Sequence, residues 1–177
     1  LPSVKIFLEK TAPVGAGLGG GSSDAAFALM MIDEMFSLGL DSDAIASYAA
    51  RLGSDCAFFV YGEPMFGEGR GEILSIYSLP DGFSENYEIK VIVPEGVSVS
   101  TADAYRGIRP AYPELPLKEA LARPVEEWKS CLYNDFEKTV FDKYPALANL
   151  KSSLYDAGAV YASMSGSGSA FYGIFRR

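Results

Sequence analysis

Histidine is absent from this chain of 177 residues. Its absence excludes a Ser-His-Asp triad, imidazole metal ligands and an imidazole proton shuttle. Cysteine is scarce: Cys56 and Cys131 lie far apart, without the spacing of a metal site. We expect both to be reduced thiols, as in a cytoplasmic protein, and Cys56 to be packed and inert. Any chemistry must therefore depend on other side chains and on the backbone.

Long apolar runs and an excess of positive charge are also missing. No apolar run reaches the roughly 20 residues that a membrane-spanning helix needs. The formal net charge is −8, whereas a nucleic-acid backbone attracts a basic surface. We therefore expect a cytoplasmic protein with neither a nucleic acid nor a membrane as partner, and its oligomeric state stays open. A hydrophobic content of 49% with 21% charged residues is typical of a globular chain of one domain or two small ones.

Glycine is concentrated between residues 13 and 26, which read PVGAGLGGGSSDAA. Glycines at this density allow positive φ angles and bring backbone N–H groups close to a ligand. An apolar helical run follows at once. Unpaired N–H groups and the positive end of the helix dipole converge at such a helix N-terminus and favour an anion. The sequence therefore predicts a phosphate site, most naturally for a nucleotide.

Two known phosphate motifs fit this segment poorly. A Walker A motif requires a Gly-Lys pair, which the sequence does not contain. The dinucleotide fingerprint G-x-G-x-x-G is matched by Gly15, Gly17 and Gly20, but the acid that should end a second strand would be Asp33 or Glu34, inside the predicted helix. A flexible loop without a ligand remains an alternative.

Periodicity and helix breakers predict an α+β chain without a regular βαβ repeat. The predicted strands occupy residues 4–8, 73–79, 87–93, 161–164 and 170–175. The predicted helices occupy residues 22–38, 42–51, 54–59, 101–106, 134–144 and 146–157. The turn at residues 80–82 and the following residues 83–86 predict a hinge between two lobes.

Several ordered segments resemble the GHMP kinases, a family that includes galactokinase, homoserine kinase and mevalonate kinase. The string GAGLGGGSSDAA at residues 15–26 is similar to the family's phosphate-binding motif. The other segments are LGSD at 52–55, GRGE at 69–72, VSVST at 97–101, NDFE at 134–137 and YASMSGSGSA at 161–170. Within the family, the set is most similar to kinases that act on a cytidine diphosphate-linked methylerythritol. The resemblance covers essentially the whole chain.

The resemblance implies a two-lobe GHMP kinase architecture with the ligand cleft between the lobes. Residues 1–82 would form part of the N-terminal ATP-binding lobe, and residues 83–177 a ferredoxin-like C-terminal lobe. The family's first motif, A-K-[IV]-N-L followed by D-G-[YF]-H, is not present upstream of the glycine-rich segment. The string KIFL at residues 5–8 lacks its Asn and is interpreted as the strand that leads into the loop. We therefore expect a C-terminal portion of the enzyme that is inactive by itself.

The implied activity is phosphorylation of the 2-hydroxyl of that methylerythritol compound by ATP with Mg²⁺, in non-mevalonate isoprenoid biosynthesis. The alternatives are another GHMP small-molecule kinase and a non-catalytic nucleotide-binding fragment. A small-molecule substrate is the expected partner in either kinase case. Transfer would be direct, without a phosphoenzyme.

The residues that the resemblance assigns to the nucleotide are Lys10, Pro13, Gly15, Gly17, Leu18, Gly19, Gly20, Gly21, Ser22 and Ser23. The backbone of residues 17–22 would cradle the β- and γ-phosphates at the helix N-terminus. Ser22 or Ser23 would offer a hydroxyl to phosphate or, for Ser22, to Mg²⁺; both could instead only cap the helix. Lys10 would lie near the nucleotide, although a solvated lysine is an equal alternative.

Asp55 is implied as the catalytic aspartate that accepts the proton of the substrate hydroxyl, while Ser54-Asp55 is also an ordinary helix start. The residues implied on the substrate side are Thr101, Tyr105, Gly166, Ser167 and Gly168. Tyr105 would stack on cytosine, and its alternative is a core aromatic. The glycines at 166 and 168 would approach the phosphate site, and their alternative is simple hairpin chemistry. Residues 134–137 are interpreted as structural, a cap and a buried aromatic.

Overall fold

The computed structural model describes residues 3–11 and 13–177. Its helices are α1 (Gly20–Phe36), α2 (Ser42–Ala50), α3 (Phe58–Tyr61), α4 (Phe83–Asn86), α5 (Thr101–Gly107), α6 (Leu117–Leu121), α7 (Trp128–Cys131), α8 (Phe136–Lys143) and α9 (Pro145–Asp156), with a 3₁₀ turn at Val125–Glu127. Its strands are β1 (Met65–Glu68), β2 (Ile73–Ile76), β3 (Tyr87–Ile92), β4 (Tyr161–Met164) and β5 (Phe171–Arg176).

The first half of the chain packs α1, α2 and α3 around a small apolar cluster. Ala26 of α1 is fully buried there, against Ile45 and Ala49 of α2. Asp41 caps α2, because its carboxylate accepts the N–H of Ala44 at 2.8 Å. Strands β1 and β2 follow as an antiparallel hairpin. Cys56 lies in the cluster as a buried free thiol, as its predicted packing requires.

The second half is built on an antiparallel sheet of order β3-β5-β4. Alternate residues of a strand point to opposite faces, and both faces of the central part are covered. One face carries Met164 and Phe171 into a cluster with α8 and α9. The other carries Tyr161 and Ile174 into a cluster with Trp128. The fold is α+β, as predicted.

One predicted strand is wrong. Residues 4–8 have no regular structure, and the Phe7 side chain is 92% exposed. An isolated strand is not stable, since its backbone needs a neighbouring strand. Within residues 3–11 and 13–177 no strand pairs with this segment.

Several predicted element boundaries also differ. Helix α1 was predicted over 22–38 but covers Gly20–Phe36, because Ser37 adopts a left-handed conformation (φ 49°) and its N–H donates to the carbonyls of Asp33 and Glu34. Residues 54–57 form turns, so α3 begins only at Phe58. Residues 83–86, predicted as a hinge between two lobes, form α4, and Phe83 is buried in the cluster around Trp128. The lobe boundary at residues 82 and 83 stays a prediction.

Candidate active site

A cavity of about 510 Å³ lies where the two halves of the chain meet. Its lining from the first half is Lys10, Pro13, Val14, Gly15, Ala16, Gly17, Leu18, Gly19, Gly20, Gly21, Ser22, Ala25, Leu52, Gly53, Asp55 and Cys56. Its lining from the second half is Thr101, Tyr105, Phe136, Gly166 and Ser167. Every predicted site residue except Ser23 and Gly168 therefore borders this one volume. A larger cavity of about 750 Å³ between α5 and α8 contains none of them.

The glycine-rich loop (residues 15–21) leads into α1, and the N-terminus of this helix borders the cavity. Gly19 precedes the helix with φ 68°, a left-handed conformation that favours glycine. No side chain caps α1, so the first N–H groups of the helix at Gly20 and Gly21 have no capping side chain. The Ser22 and Ser23 side chains do not cap the helix, which contradicts that alternative. The helix starts two residues earlier than predicted, and its positive end faces the cavity.

The glycine-rich loop rests on the β4–β5 loop (residues 165–170). The Ser165 hydroxyl donates to the carbonyl of Gly17 at 2.7 Å, and the N–H of Ala170 donates to that of Ala16 at 2.9 Å. A Cβ at Gly17 would lie 2.2 Å from the carbonyl oxygen of Ser165. Only glycine permits this approach, and Gly17 also has a φ of 76°. The two glycine-containing loops therefore support each other through one side-chain and one backbone hydrogen bond and through close backbone contact.

Charged groups stand on two sides of the glycine-rich loop. Lys10 forms an ion pair with Asp24 of α1, so its ammonium group is held beside the loop and not simply solvated. Asp55 lies exposed in the turn before α3 and borders the cavity. Its Oδ1 lies 3.5 Å from the position that a Cβ of Gly71 would occupy. In the portion of the chain that the structure describes, no lysine or arginine is ion-paired with Asp55.

An aromatic surface and a hydroxyl pair border the cavity from the second half. Tyr105 of α5 is 65% exposed, which contradicts the core-aromatic alternative. Its ring meets Phe136 edge to face, with centroids 4.9 Å apart. The Thr101 and Ser167 hydroxyl oxygens lie 3.2 Å apart. A flat, exposed ring of this kind is suited to stacking on a nucleobase.

Two protein-family models match this chain. The model described as GHMP kinases N terminal domain matches residues 2–63, and the one described as GHMP kinases C terminal matches residues 117–177. The chain belongs to the GHMP kinase family. Together the two models contain the glycine-rich loop, Asp55 and the β4–β5 loop.

Curated relatives and solved structures agree with this family assignment. Two relatives are named 4-diphosphocytidyl-2-C-methyl-D-erythritol kinase. The one from Bacteroides fragilis is 50% identical over 99% of this chain, and the one from Bacteroides thetaiotaomicron is 52% identical over 97%. The chain spans 62% and 61% of their lengths.

A crystal structure of 4-(cytidine 5'-diphospho)-2C-methyl-D-erythritol kinase is 34% identical, with a TM-score of 0.75, over 93% of this chain and 59% of that one. A homoserine kinase from Cytophaga hutchinsonii is 18% identical, with a TM-score of 0.57, over 93% of this chain and 58% of that one. The second likeness concerns the fold alone.

In this GHMP kinase the NDFE segment does more than the predicted capping. The Asn134 and Glu137 side chains both bind β4 or the β4–β5 loop. Phe136 is half-buried and supports Tyr105. A single sequence carries no signal for these contacts, because the partners lie about thirty residues further along the chain.

An ion pair between Asp103 and Lys143 links α5 to α8 beside the candidate active site. Asp103 of α5 accepts a hydrogen bond from the Lys143 ammonium at 2.8 Å, and Arg106 lies 2.6 Å from the same carboxylate. The hydrogen bond from Lys143 and the positive charge of Lys143 lower the pKa of Asp103 below its ordinary value. The positive charge of Arg106 lowers it further, by a smaller amount. This network stabilises the helix that carries Thr101 and Tyr105.

Among residues 3–11 and 13–177 no three His, Cys, Asp or Glu side chains form a group that could hold a metal ion. No helix described by the structure is long and apolar enough to cross a membrane.

Proposed function

We propose that the natural full-length protein transfers the γ-phosphoryl group of ATP to the 2-hydroxyl of 4-diphosphocytidyl-2-C-methyl-D-erythritol. The observation that carries the proposal is the shared cavity. It is bordered by the α1 N-terminus with its glycines, by Asp55 and by the exposed Tyr105 ring. The names of the similar kinases supply the substrate.

The donor phosphates bind the backbone of residues 17–22. Gly20 and Gly21 have no protein atom closer than 3.8 Å to the position of a Cβ, so a phosphate group can approach their N–H groups. The positive end of the 17-residue helix α1 favours the negative charge. Lys10 exchanges part of its contact with Asp24 for a phosphate oxygen.

The acceptor hydroxyl lies beside Asp55. As the oxygen of the 2-hydroxyl bonds to the γ-phosphorus, the bond from that phosphorus to the ADP oxygen breaks. The hydroxyl proton passes to the Asp55 carboxylate, which then returns it to water. The transfer is direct, and positioning and electrostatics supply most of the acceleration.

The cytidine end of the substrate binds at α5. The exposed face of Tyr105 stacks on cytosine, a contact that contributes about 1 to 3 kcal/mol. Thr101 and Ser167 offer hydroxyls to the polar part of the substrate from the same wall. The site thereby accepts an anionic donor and a base-bearing acceptor at opposite ends of one cavity.

The residues present fit a magnesium ion that arrives with the nucleotide. Mg²⁺ is commonly held by substrate phosphates, water and one or two protein oxygens, and the half-buried Ser22 hydroxyl borders the cavity. Such an ion would neutralise phosphate charge.

The test is an assay of ADP release by the full-length protein with ATP and the methylerythritol substrate. We expect turnover by the wild type and a loss of about 100-fold or more in kcat for Asp55→Asn, since general-base catalysis contributes about 10²- to 10⁴-fold. Asp81→Asn is the matched control, because Asp81 is an exposed turn carboxylate outside the cavity. Normal turnover by Asp55→Asn would remove Asp55 from the mechanism. Turnover of another alcohol in place of this substrate would refute the assigned substrate.

A further inference from the structure

The Asn134 side chain makes three hydrogen bonds. Its Nδ2 donates to the carbonyl oxygens of Met164 and Gly166, each at 2.8 Å. Its Oδ1 accepts the backbone N–H of Phe136 at 3.0 Å. Both amide protons and the acceptor are therefore used, which holds the side chain in one orientation.

The partners of Asn134 lead to two different parts of the candidate active site. Gly166 belongs to the β4–β5 loop, and a Cβ there would lie 3.3 Å from the carbonyl oxygen of Gly17 in the glycine-rich loop. Phe136 supports the exposed ring of Tyr105. The Asn134 amide thus connects two supporting elements. One is the Gly166 backbone, which contacts the glycine-rich loop, and the other is Phe136, which contacts Tyr105.

The adjoining end of β4 is held by a second residue, Glu137, in the first turn of α8. Glu137 is buried, and its carboxylate accepts the N–H of Met164 at 2.8 Å. Lys151 of α9 balances that charge at 2.5 Å. The end of β4 is therefore anchored independently of Asn134, so loss of the Asn134 donors should loosen the β4–β5 loop without unfolding the sheet.

We propose that Asn134 is a positioning residue that sets the separation between the phosphate-binding backbone and the Tyr105 ring. It borders neither the donor phosphates nor the acceptor hydroxyl directly and acts through Gly166 and Phe136. The assignment of the two ligands rests on the proposed function.

The informative variant is Asn134→Asp in the full-length protein. It keeps the size of the side chain and an oxygen for the Phe136 N–H, but places a carboxylate oxygen against the two carbonyl groups. We expect KM to rise for both ATP and the cytidine substrate and kcat/KM to fall about ten-fold or more, since unmade bonds of this kind are costly. Asn86→Asp is the matched control. Asn86 donates to the carbonyl of Gly82 at 2.8 Å, outside the cavity, and its variant should keep wild-type constants.

A binding measurement distinguishes failure of this proposal from failure of the proposed function. Calorimetric Kd values for ADP and for CDP, with thermal unfolding of each variant, do not require turnover. Weaker binding of both nucleotides by folded Asn134→Asp supports the proposal, even if the wild type proves inactive on the assigned substrate. A lowered melting temperature with unchanged Kd and KM values would overturn it in favour of a purely structural role. An effect on one nucleotide alone would also overturn it, because the residue would then not couple the two sides.

Discussion

At the scale of single residues, the glycines of the glycine-rich loop serve different purposes. Gly17 and Gly19 are required by the protein itself. A Cβ at Gly17 would overlap Ser165, and one at Gly19 would lie 2.6 Å from the Phe59 ring, with positive φ at both positions. Gly21 has nothing within 4 Å of that position and does not adopt positive φ. The fold does not explain Gly21, whereas the close approach of the phosphates in the proposed function would.

Gly21→Ala is therefore the substitution that separates binding from folding. We expect the melting temperature to stay the same or to rise, because alanine is favoured over glycine in a helix by up to about 1 kcal/mol. We expect ATP affinity to fall, because the new methyl group occupies space beside the phosphate-binding N–H groups. Calorimetry with ATP and thermal unfolding measure the two effects.

Gly17→Ala is the comparison for that experiment, and it should lower the melting temperature through its contact with Ser165. Undiminished ATP affinity in Gly21→Ala would place the phosphates away from the α1 N-terminus.

At the scale of elements, α8 organises the second half of the site. Its first turn binds the end of β4 through Glu137, which accepts the N–H of Met164, and its last residue, Lys143, binds Asp103 of α5. The position of Tyr105 therefore depends on a helix that does not itself carry the predicted substrate residues. Changes at the α5–α8 contact should act through orientation and stability.

The Asp103 network predicts a pH-dependent contribution to stability. Its folded-state pKa lies below the ordinary value of 3.8, so the contribution is fully present above that value. It is lost as the pH falls through the lower, folded-state pKa. Asp103→Asn should therefore unfold at a lower urea concentration than the wild type at pH 7, and the difference should shrink in strong acid. The exposed position makes the effect small.

Asp142→Asn is the matched control, since Asp142 is an exposed carboxylate of α8 that forms no ion pair among the described residues. If the Asp103→Asn difference did not shrink as the pH falls below 3.8, the ion pairs would not be its source.

At the scale of the whole molecule, the cavity belongs to both halves of the chain. The first half supplies the glycine-rich loop and Asp55, and the second supplies Thr101, Tyr105 and the β4–β5 loop. A ligand that fills it contacts both halves, so binding should stabilise them together. We expect ATP to stabilise the protein through the glycine-rich loop and CDP to stabilise it through the Tyr105 ring.

We expect ATP and CDP each to raise the melting temperature of the full-length protein, since a ligand at about 100 times its Kd adds about 2.7 kcal/mol. Tyr105→Ala should abolish most of the shift with CDP and preserve the shift with ATP, because in the proposed function only cytosine stacks on this ring. Tyr112→Ala is the control, since Tyr112 is fully exposed and lies outside the cavity. If Tyr105→Ala lost the ATP shift and the CDP shift equally, the two nucleotides would not bind different parts of the cavity.

Local patterns predicted much of this molecule. The helical run after the glycines, the helix that begins at residue 42 and the strand pair around the β4–β5 loop depend on neighbours within a few residues, and all three are present. The prediction of a strand at residues 4–8 was wrong, because apolar composition does not supply a partner strand. The short helices α6 and α7 were missed because their proline-rich surroundings concealed any periodicity.

The sequence by itself determined that residues 15–26 combine flexible glycines with a helix N-terminus, because φ preferences and helical periodicity are local properties. Only the tertiary structure decided that Ser165 binds Gly17, 148 residues away, and that Asn134 joins Gly166 to Phe136. Such contacts depend on how helices and sheet pack, and a backbone carbonyl leaves no mark of its partner in the sequence. For this reason most of the residues that border the cavity could be predicted from the sequence, whereas the residues that hold them in place could not.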